Sequence, residues 1–146
     1  MNSKDFSLHL RVYYEDTDAG GVVYHSNYLK FMERARTERI RSLGYELNHL
    51  AEDYDLLFVV RAMQIDFKKP ALFNDELWVT ADFVEIRPAS IVFGQSVGRG
   101  EDGILCAAKV KVAAISAQSF RPKAVPEFLL TQLINARQIA HERPKS

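Results

Sequence analysis

The chain has 146 residues, of which 47% are hydrophobic and 26% charged, and its 19 basic and 19 acidic residues give a formal net charge of zero. This length predicts a single domain over residues 1–146, large enough to bury a core without disulfides or a structural metal. The lack of a basic surplus argues against a general nucleic-acid-binding protein. The one cysteine, Cys106, cannot form an internal disulfide, which fits a reducing compartment.

The sequence also argues against export and membrane insertion. Residues 1–10 lack the long apolar stretch of a secretory signal, and no run approaches the length of a membrane span. We therefore expect a cytoplasmic protein without a membrane span. Its zero net charge gives little repulsion between copies, which permits self-association.

The first part of the chain predicts a strand, a turn and a long helix. Apolar and polar residues alternate over 8–14, which predicts a strand, and the chain then breaks at 16–21. Apolar residues recur at spacings of three and four over 27–43, which predicts a helix. Ser26 is the predicted cap at its start and Gly44 at its end.

The second part predicts mainly strands. After a short predicted helix over 46–53, the apolar period changes to two from Leu56 onward. The predicted strands cover 63–67, 77–83, 90–98 and 104–116, and an amphipathic helix follows over 126–140. The glycine-containing turn 100–103 predicts a hairpin between the last two strands.

This order of elements predicts the α+β class. One helix with a wide apolar face has to be buried, and an antiparallel sheet curling around it is the simplest way to do so. An open sheet has exposed edge strands, so pairing with a second copy is also expected.

The segment between the first strand and the long helix carries the strongest chemical signal. Asp18 precedes the pair Gly20-Gly21, and glycines allow a backbone to approach a ligand or a neighbour closely. The helix that begins near His25 offers unpaired N–H groups and the positive end of its dipole to a developing oxyanion. A carboxylate beside such a site is what hydrolysis of an activated carbonyl requires. Acids before glycines more often form a simple turn, and the sequence alone leaves both roles open.

The other motifs are weaker. The histidines show no paired ligand spacing, so we expect no metal. Ser26 does not lie in a serine-hydrolase elbow, and the glycines form no dinucleotide-binding fingerprint. Cys106 lies in an apolar strand and is interpreted as core. Arg87 and other basic residues are candidates for phosphate contacts, or simply solvated surface charges.

Residues 11–38, RVYYEDTDAGGVVYHSNYLKFMERARTE, resemble the signature of the Tol-Pal-associated acyl-CoA thioesterases. These proteins are relatives of 4-hydroxybenzoyl-CoA thioesterase within the hot-dog fold. The resemblance continues through FVVR at 58–61 to RPKAVP at 121–126, and so covers nearly the whole chain. It implies a hot-dog fold, hydrolysis of a coenzyme A thioester without a cofactor, and a homodimer or tetramer with active sites at the subunit interface.

The resemblance also implies roles for individual residues. Asp18 matches the catalytic carboxylate, which acts as nucleophile or general base. His25 matches the position whose backbone N–H polarises the thioester carbonyl, and its ring is a further candidate for substrate contact. Tyr24 and Asn27 belong to the same motif and shape the site. Candidates for lining the acyl pocket, which are equally candidates for the core, are Phe58, Val59 and Met63.

One departure concerns the coenzyme A phosphates. The aromatic-CoA branch of the family carries a basic cluster after its third strand, and in the matching stretch 87–90 only Arg87 keeps the charge. This argues against an aromatic acyl group, and we expect short- to medium-chain acyl groups, with Arg87 as a substrate-binding residue.

Two alternatives stay open from the sequence. The first is a binding module for acyl carrier protein or enzymes of phospholipid synthesis, with little turnover. The second is a hot-dog dehydratase acting on a thioester, which Asp18 disfavours because dehydratases place a histidine and an acid on separate motifs.

Overall fold

The computed structural model describes residues 6–101 and 103–142. In chain order the elements are β1 (Ser7–Arg11), α1 (His25–Arg41), α2 (Leu47–Tyr54), β2 (Leu56–Phe67), β3 (Glu76–Thr80), β4 (Asp82–Arg87), β5 (Ser90–Arg99), β6 (Ile104–Ser116) and α3 (Glu127–Glu142). A short 3₁₀ turn, Tyr14–Asp16, lies between β1 and α1. No helix in these described residues is long and apolar enough to cross a membrane.

The six strands form one antiparallel sheet in the order β1-β3-β5-β6-β2, with β4 also paired to β5. Helix α1 packs against β1, β3 and β5, and it buries Phe31, Met32 and Ala35 almost completely. The concave face of the sheet supplies the other side of this core, including Val79, Phe93 and Val110. The sheet therefore curves around a central helix, which confirms the expected α+β class and hot-dog fold.

The long helix begins two residues earlier than the sequence predicts. Ser26 lies inside it, so the predicted cap is wrong: Tyr24 occupies the N-cap position and makes no side-chain cap hydrogen bond. At the other end Gly44 has a φ of 99°. It lies just past the C-cap residue Ser42, in the left-handed conformation that glycine adopts after helices.

The single strand predicted over 77–83 is in fact two strands, β3 and β4, which break at Ala81. Both pair with β5, at different places along it. Hydrogen bonds that involve side chains connect Thr80, just before the break, to β5. The Gln95 side-chain amide donates to the Thr80 carbonyl at 3.1 Å, and the Ser96 N–H donates to the Thr80 hydroxyl at 2.9 Å. Neither of these two hydrogen bonds can be predicted from the local alternation of apolar and polar residues.

The strands predicted over 63–67, 90–98 and 104–116 are confirmed, and so is the pairing of β5 with β6 as an antiparallel hairpin. The strand predicted over 8–14 is shorter than expected: β1 ends at Arg11, and the chain then enters the 3₁₀ turn Tyr14–Asp16. Residue 102 of the predicted hairpin turn lies outside the described residues, as do residues 1–5 and 143–146 of the predicted domain.

Strand β2 is a long edge strand. Among the described strands it pairs only with β6, and its pairing shifts between Val60 and Ala62, leaving Arg61 as a bulge. The residues from Val59 to Ala62 are all exposed, and Val60 is 49% exposed. The free side of β2 therefore offers backbone and apolar groups for pairing with another strand.

Asp55 fixes the junction between α2 and β2. It adopts a left-handed φ of 53°. Its carboxylate accepts hydrogen bonds from the Ser116 hydroxyl at 2.6 Å and the Gln118 N–H at 2.9 Å, and Lys123 Nζ lies 3.7 Å away. The Ser116 hydrogen bond is the main reason why the pKa of Asp55 lies below its ordinary value of 3.8.

A carboxyl group with a lowered folded-state pKa stabilises the fold at pH values above its unfolded pKa, and loses that effect as the pH falls through the folded value. Asparagine tolerates the positive φ of this position. We expect Asp55→Asn to reduce the free energy of unfolding at about pH 7 and to have a smaller effect at about pH 3. Urea unfolding at both pH values measures this. Asp53→Asn, at an exposed site without these contacts, is the control, and an Asp55→Asn deficit that stays constant with pH contradicts the assignment.

Candidate active site

The loop between β1 and α1 is a tight reversal held by its own backbone. Thr17 and Val23 form an antiparallel bridge, the Asp18 N–H donates to the Val22 carbonyl at 2.9 Å, and the Gly21 N–H donates to the Asp18 carbonyl at 3.1 Å. Gly21 has a φ of 80°, a conformation that side chains disfavour. The predicted turn on two glycines is therefore present.

The Asp18 side chain takes part in this turn and remains exposed. Its Oδ1 accepts the Gly20 N–H at 2.8 Å, and a Cβ on Gly20 would lie 3.3 Å from the same oxygen. Within the described residues the second carboxylate oxygen has no hydrogen-bond partner. The turn role and the chemical role that the sequence left open are therefore compatible, because the turn orients the carboxylate and leaves one oxygen free.

The start of α1 is an open donor site. Its first turn contains no acidic residue, and its N-cap supplies no side-chain hydrogen bond. The Asn27 N–H folds back to the Tyr24 carbonyl at 2.9 Å, and the N–H groups of His25 and Ser26 have no acceptor in the described part of the chain. Together with the helix dipole, these two N–H groups favour a negative charge in front of the helix.

One carbonyl oxygen connects the acid loop to this helix start. The Asp16 carbonyl accepts the Tyr24 N–H at 3.0 Å and the Asn27 side-chain amide at 2.8 Å. The Asp16 carboxylate in turn accepts the Tyr13 N–H at 2.8 Å. Asn27 is buried, so within one chain its amide holds the loop in place, and its contact with substrate stays a prediction.

Exposed aromatic rings surround the helix start. The His25 ring lies 4.5 Å from the Phe67 ring and 6.3 Å from the Tyr24 ring, centroid to centroid. Phe67 was not among the predicted site residues, because its alternation with Met63 and Ile65 indicated only a strand. Phe67 is 41% exposed at the end of β2. The nearby Pro70, which ends the alternating pattern, was the sequence signal that Phe67 lies at a strand end.

Val59 and Arg87 lie at the opposite end of the sheet. Ser90 and Val59 both pair with Ala113, and Arg87 pairs with Ser90 across the β4–β5 turn. Val59 is eight positions from Phe67 along β2, roughly 26 Å of strand. A single chain thus brings Asp18, Tyr24, His25 and Asn27 together and holds Val59 and Arg87 apart from them.

The surroundings of these two residues differ. Val59 lines a cavity of about 370 Å³ between α1 and the sheet. Arg87 is exposed, and its guanidinium forms an ion pair with Glu85 at 2.8 Å. The Arg87 side chain is therefore available at the surface but already has a carboxylate partner.

Other chemistry at the site finds little support in the described residues. Residues 6–101 and 103–142 contain no group of three or more His, Cys, Asp or Glu side chains that could hold a metal ion. Cys106 is fully buried, and desolvation raises the pKa of its thiol to about 11. A protonated, inaccessible thiol is not a nucleophile, so the interpretation of Cys106 as core is confirmed.

The sequence model of the thioesterase superfamily matches residues 20–106. The chain is also 44% identical over 127 residues to an acyl-CoA thioesterase YbgC from Haemophilus influenzae, covering 87% of this chain and 93% of that protein. The chain belongs to the thioesterase superfamily. The family resemblance seen in the sequence is thereby confirmed.

Two further relatives of this thioesterase-superfamily chain extend the match. An acyl-CoA thioester hydrolase YbgC from Escherichia coli O157:H7 is 38% identical over 132 residues, which cover 90% of this chain and 98% of that protein. The crystal structure of a probable thioesterase from Bartonella henselae superposes with a TM-score of 0.79 at 36% identity, covering 84% of this chain and 99% of that one.

Asn27 offers a test of how the superfamily site is held together. Asn27→Ala removes the amide that ties the Asp16 carbonyl to α1, so we expect a loss of about 1–2 kcal/mol in the free energy of unfolding. We also expect faster hydrogen exchange at the Tyr24 N–H, which shares that carbonyl. Ser26→Ala, an exposed neighbour, is the control. Unchanged exchange in Asn27→Ala, measured by mass spectrometry or NMR, would show that the amide does not hold the loop.

Proposed function

We propose that this protein hydrolyses acyl-CoA thioesters, with Asp18 as the catalytic carboxylate and the first N–H groups of α1 as the oxyanion site. The observation that carries the proposal is the joining of these parts in one unit, through the hydrogen bonds of the Asp16 carbonyl. The names of the relatives, which are acyl-CoA thioesterases or thioester hydrolases at 34–44% identity, support the substrate class.

The proposed reaction uses few groups, because a thioester carbonyl is already activated. The free oxygen of Asp18 either attacks the carbonyl carbon or removes a proton from the water that attacks it. The carbonyl oxygen becomes negative as the new C–O bond forms, and the N–H groups of His25 and Ser26 stabilise that charge. The C–S bond then breaks, and the coenzyme A thiolate leaves and takes up a proton. In the nucleophilic route, water subsequently hydrolyses the acyl–Asp18 anhydride.

We further propose that the working unit contains two copies paired through β2. A two-fold axis across this edge makes the paired strands antiparallel, so the Val59 end of one strand lies beside the Phe67 end of the other. The His25 ring contacts the Phe67 ring, so the cavity lined by Val59 in one protomer comes next to the helix start of its partner. This arrangement reunites the predicted site residues that a single chain separates.

The same pairing gives the acyl group and coenzyme A separate places. A cavity of about 370 Å³ is at the small end of ligand pockets, which supports short- to medium-chain acyl groups. Arg87, at the tip of the β4–β5 hairpin, is positioned at the surface, where the nucleotide phosphates of coenzyme A remain in solvent. We propose that Tyr24, which is 58% exposed and lies beside the His25 ring, lines the route between them.

Asp18→Asn tests the carboxylate directly. The amide retains the size of the side chain and an oxygen that can accept the Gly20 N–H, but it neither attacks nor removes a proton. With a panel of short-, medium- and long-chain acyl-CoAs, we expect kcat to fall about 10²–10⁴-fold, measured as thiol release. Glu15→Gln, an exposed acid in the preceding turn, should match the wild type.

The outcomes of this panel separate the alternatives. Equal rates for Asp18→Asn and wild type, with the fold intact by circular dichroism, remove Asp18 from the mechanism. No thiol release from any acyl-CoA by the wild type rejects acyl-CoA hydrolysis, and points to a carrier-protein thioester or to the binding module.

A mixing experiment tests whether the site spans two protomers. Val59→Trp should block the cavity and Asp18→Asn should inactivate the acid, so each homodimer is expected to lose activity. In a mixed dimer, the intact Asp18 of one chain faces the intact Val59 of the other, so co-refolding equal amounts should restore about a quarter of wild-type activity. If verified mixed dimers show no restored activity, Asp18 and Val59 do not meet across the interface. They then belong to a site within one chain, or to no common site.

A further inference from the structure

Arg36 is a buried cation on α1 that the proposed reaction does not use. It is only 9% exposed, and its Nη1 donates to the Gln95 Oε1 at 2.9 Å. No carboxylate of the described residues lies within ion-pair distance of it. A guanidinium has five N–H donors, so most of the Arg36 donors have no acceptor among the described residues.

Gln95 holds this guanidinium in a defined orientation. The Gln95 Nε2 donates to the carbonyl of Met32 at 3.0 Å and to the carbonyl of Thr80 at 3.1 Å. Both partners are acceptors, so the amide nitrogen has to face them and the amide oxygen has to face Arg36. Gln95 is itself 2% exposed, and it anchors Arg36 to the helix and the sheet at once.

The free side of Arg36 faces the cavity that Val59 lines. Apolar side chains form most of the remaining wall, among them Ile40, Phe58, Val59, Ile91 and Phe93. Among the described residues, only one fully buried side-chain nitrogen or oxygen atom lacks a hydrogen-bond partner, and it belongs to Arg39, not to Arg36. The unpaired N–H groups of Arg36 are therefore not sealed within protein, and the cavity is the space they reach.

This combination points to an anionic ligand. Desolvation lowers the pKa of Arg36, and the charge of Glu33 partly opposes that shift. Arginine stays protonated, so a positive charge is held among mostly apolar walls with no carboxylate of the described residues within ion-pair distance. Glu33 also lines the cavity, but it is exposed and makes no ion pair with Arg36. A carboxylate matches the fork of a guanidinium in two parallel hydrogen bonds, whereas an alkyl end leaves those donors unpaired.

We propose that Arg36 is a specificity-determining residue, which makes this cavity select acyl groups that carry a carboxylate at their far end. The preferred substrates are then coenzyme A monothioesters of short dicarboxylic acids. The alkyl part of the acyl group lies against the apolar wall, and its distal carboxylate binds Arg36. This inference rests on the proposed thioester hydrolysis and on the pairing that brings the cavity beside the partner's helix start.

A matched pair of substrates tests it. Glutaryl-CoA is compared with an acyl-CoA of the same chain length in which an isopropyl group replaces the distal carboxylate. We expect the wild type to favour glutaryl-CoA by at least about tenfold in kcat/KM, since a hydrogen bond to a buried charge is lost with the isopropyl group. In Arg36→Met this ratio should fall by at least about tenfold, while hydrolysis of the isopropyl compound persists.

Three further variants sharpen the result. Gln95→Glu places an internal carboxylate beside Arg36 and should reduce the preference even if Arg36→Met fails to fold. Glu33→Gln removes the negative charge at the cavity and should leave or increase the preference. Arg34→Met, at an exposed arginine of the same helix, should leave the ratio unchanged.

The outcomes separate this inference from the proposed function. Hydrolysis of the isopropyl compound with no preference for glutaryl-CoA overturns the role of Arg36 and leaves thioester hydrolysis standing. A preference that persists in both Arg36→Met and Gln95→Glu overturns it as well. If neither compound is hydrolysed, calorimetric titration of both with the wild type decides: tighter binding of glutaryl-CoA that Arg36→Met abolishes supports the inference, and equal binding overturns it.

Discussion

Helix α1 buries Phe31, Met32 and Ala35 almost completely, and this burial requires the sheet to curve around it. Most of the other features follow from that constraint. Because the sheet wraps one helix, the start of α1 emerges at one end of the sheet beside the end of β2, where Phe67 meets the His25 ring. Because the sheet stays open, β2 remains an edge with exposed apolar residues.

The polar groups inside this core serve the fold and the cavity together. Gln95 donates to carbonyls on α1 and at the end of β3, so it closes the break between β3 and β4 and fixes the helix against the sheet. The same amide oxygen positions Arg36. A buried polar group is tolerated when its hydrogen bonds are satisfied, and the unsatisfied side of Arg36 is the part that faces the cavity.

The candidate site has a hydrogen-bonded loop and helix start at one end of the sheet and a cavity at the other. The Asp16 carbonyl joins the acid loop to the helix start, so Asp18 and the first N–H groups of α1 belong to one hydrogen-bonded unit. The cavity and Arg87 lie at the far end of the sheet. The proposed pairing of two copies through β2 brings the cavity of one protomer beside the helix start of the other.

The sequence by itself determined what depends on neighbouring residues. The alternation of apolar residues located the strands, the spacing of three and four located α1, and Asp18 with its glycines located the loop, because turn and helix propensities act over a few positions. The motif resemblance added the hot-dog fold and the family.

Only the tertiary structure decided the features that depend on distant residues. Arg36 and Gln95 are 59 positions apart, and the exposure of Phe67, the break at Ala81 and the separation of Val59 from Asp18 all depend on how the sheet closes around α1. The cap on α1 was likewise misplaced, since the Asp16 carbonyl, rather than a local side chain, orders the helix start. Local patterns record which face of an element is apolar, but they do not record which polar group from elsewhere will meet it.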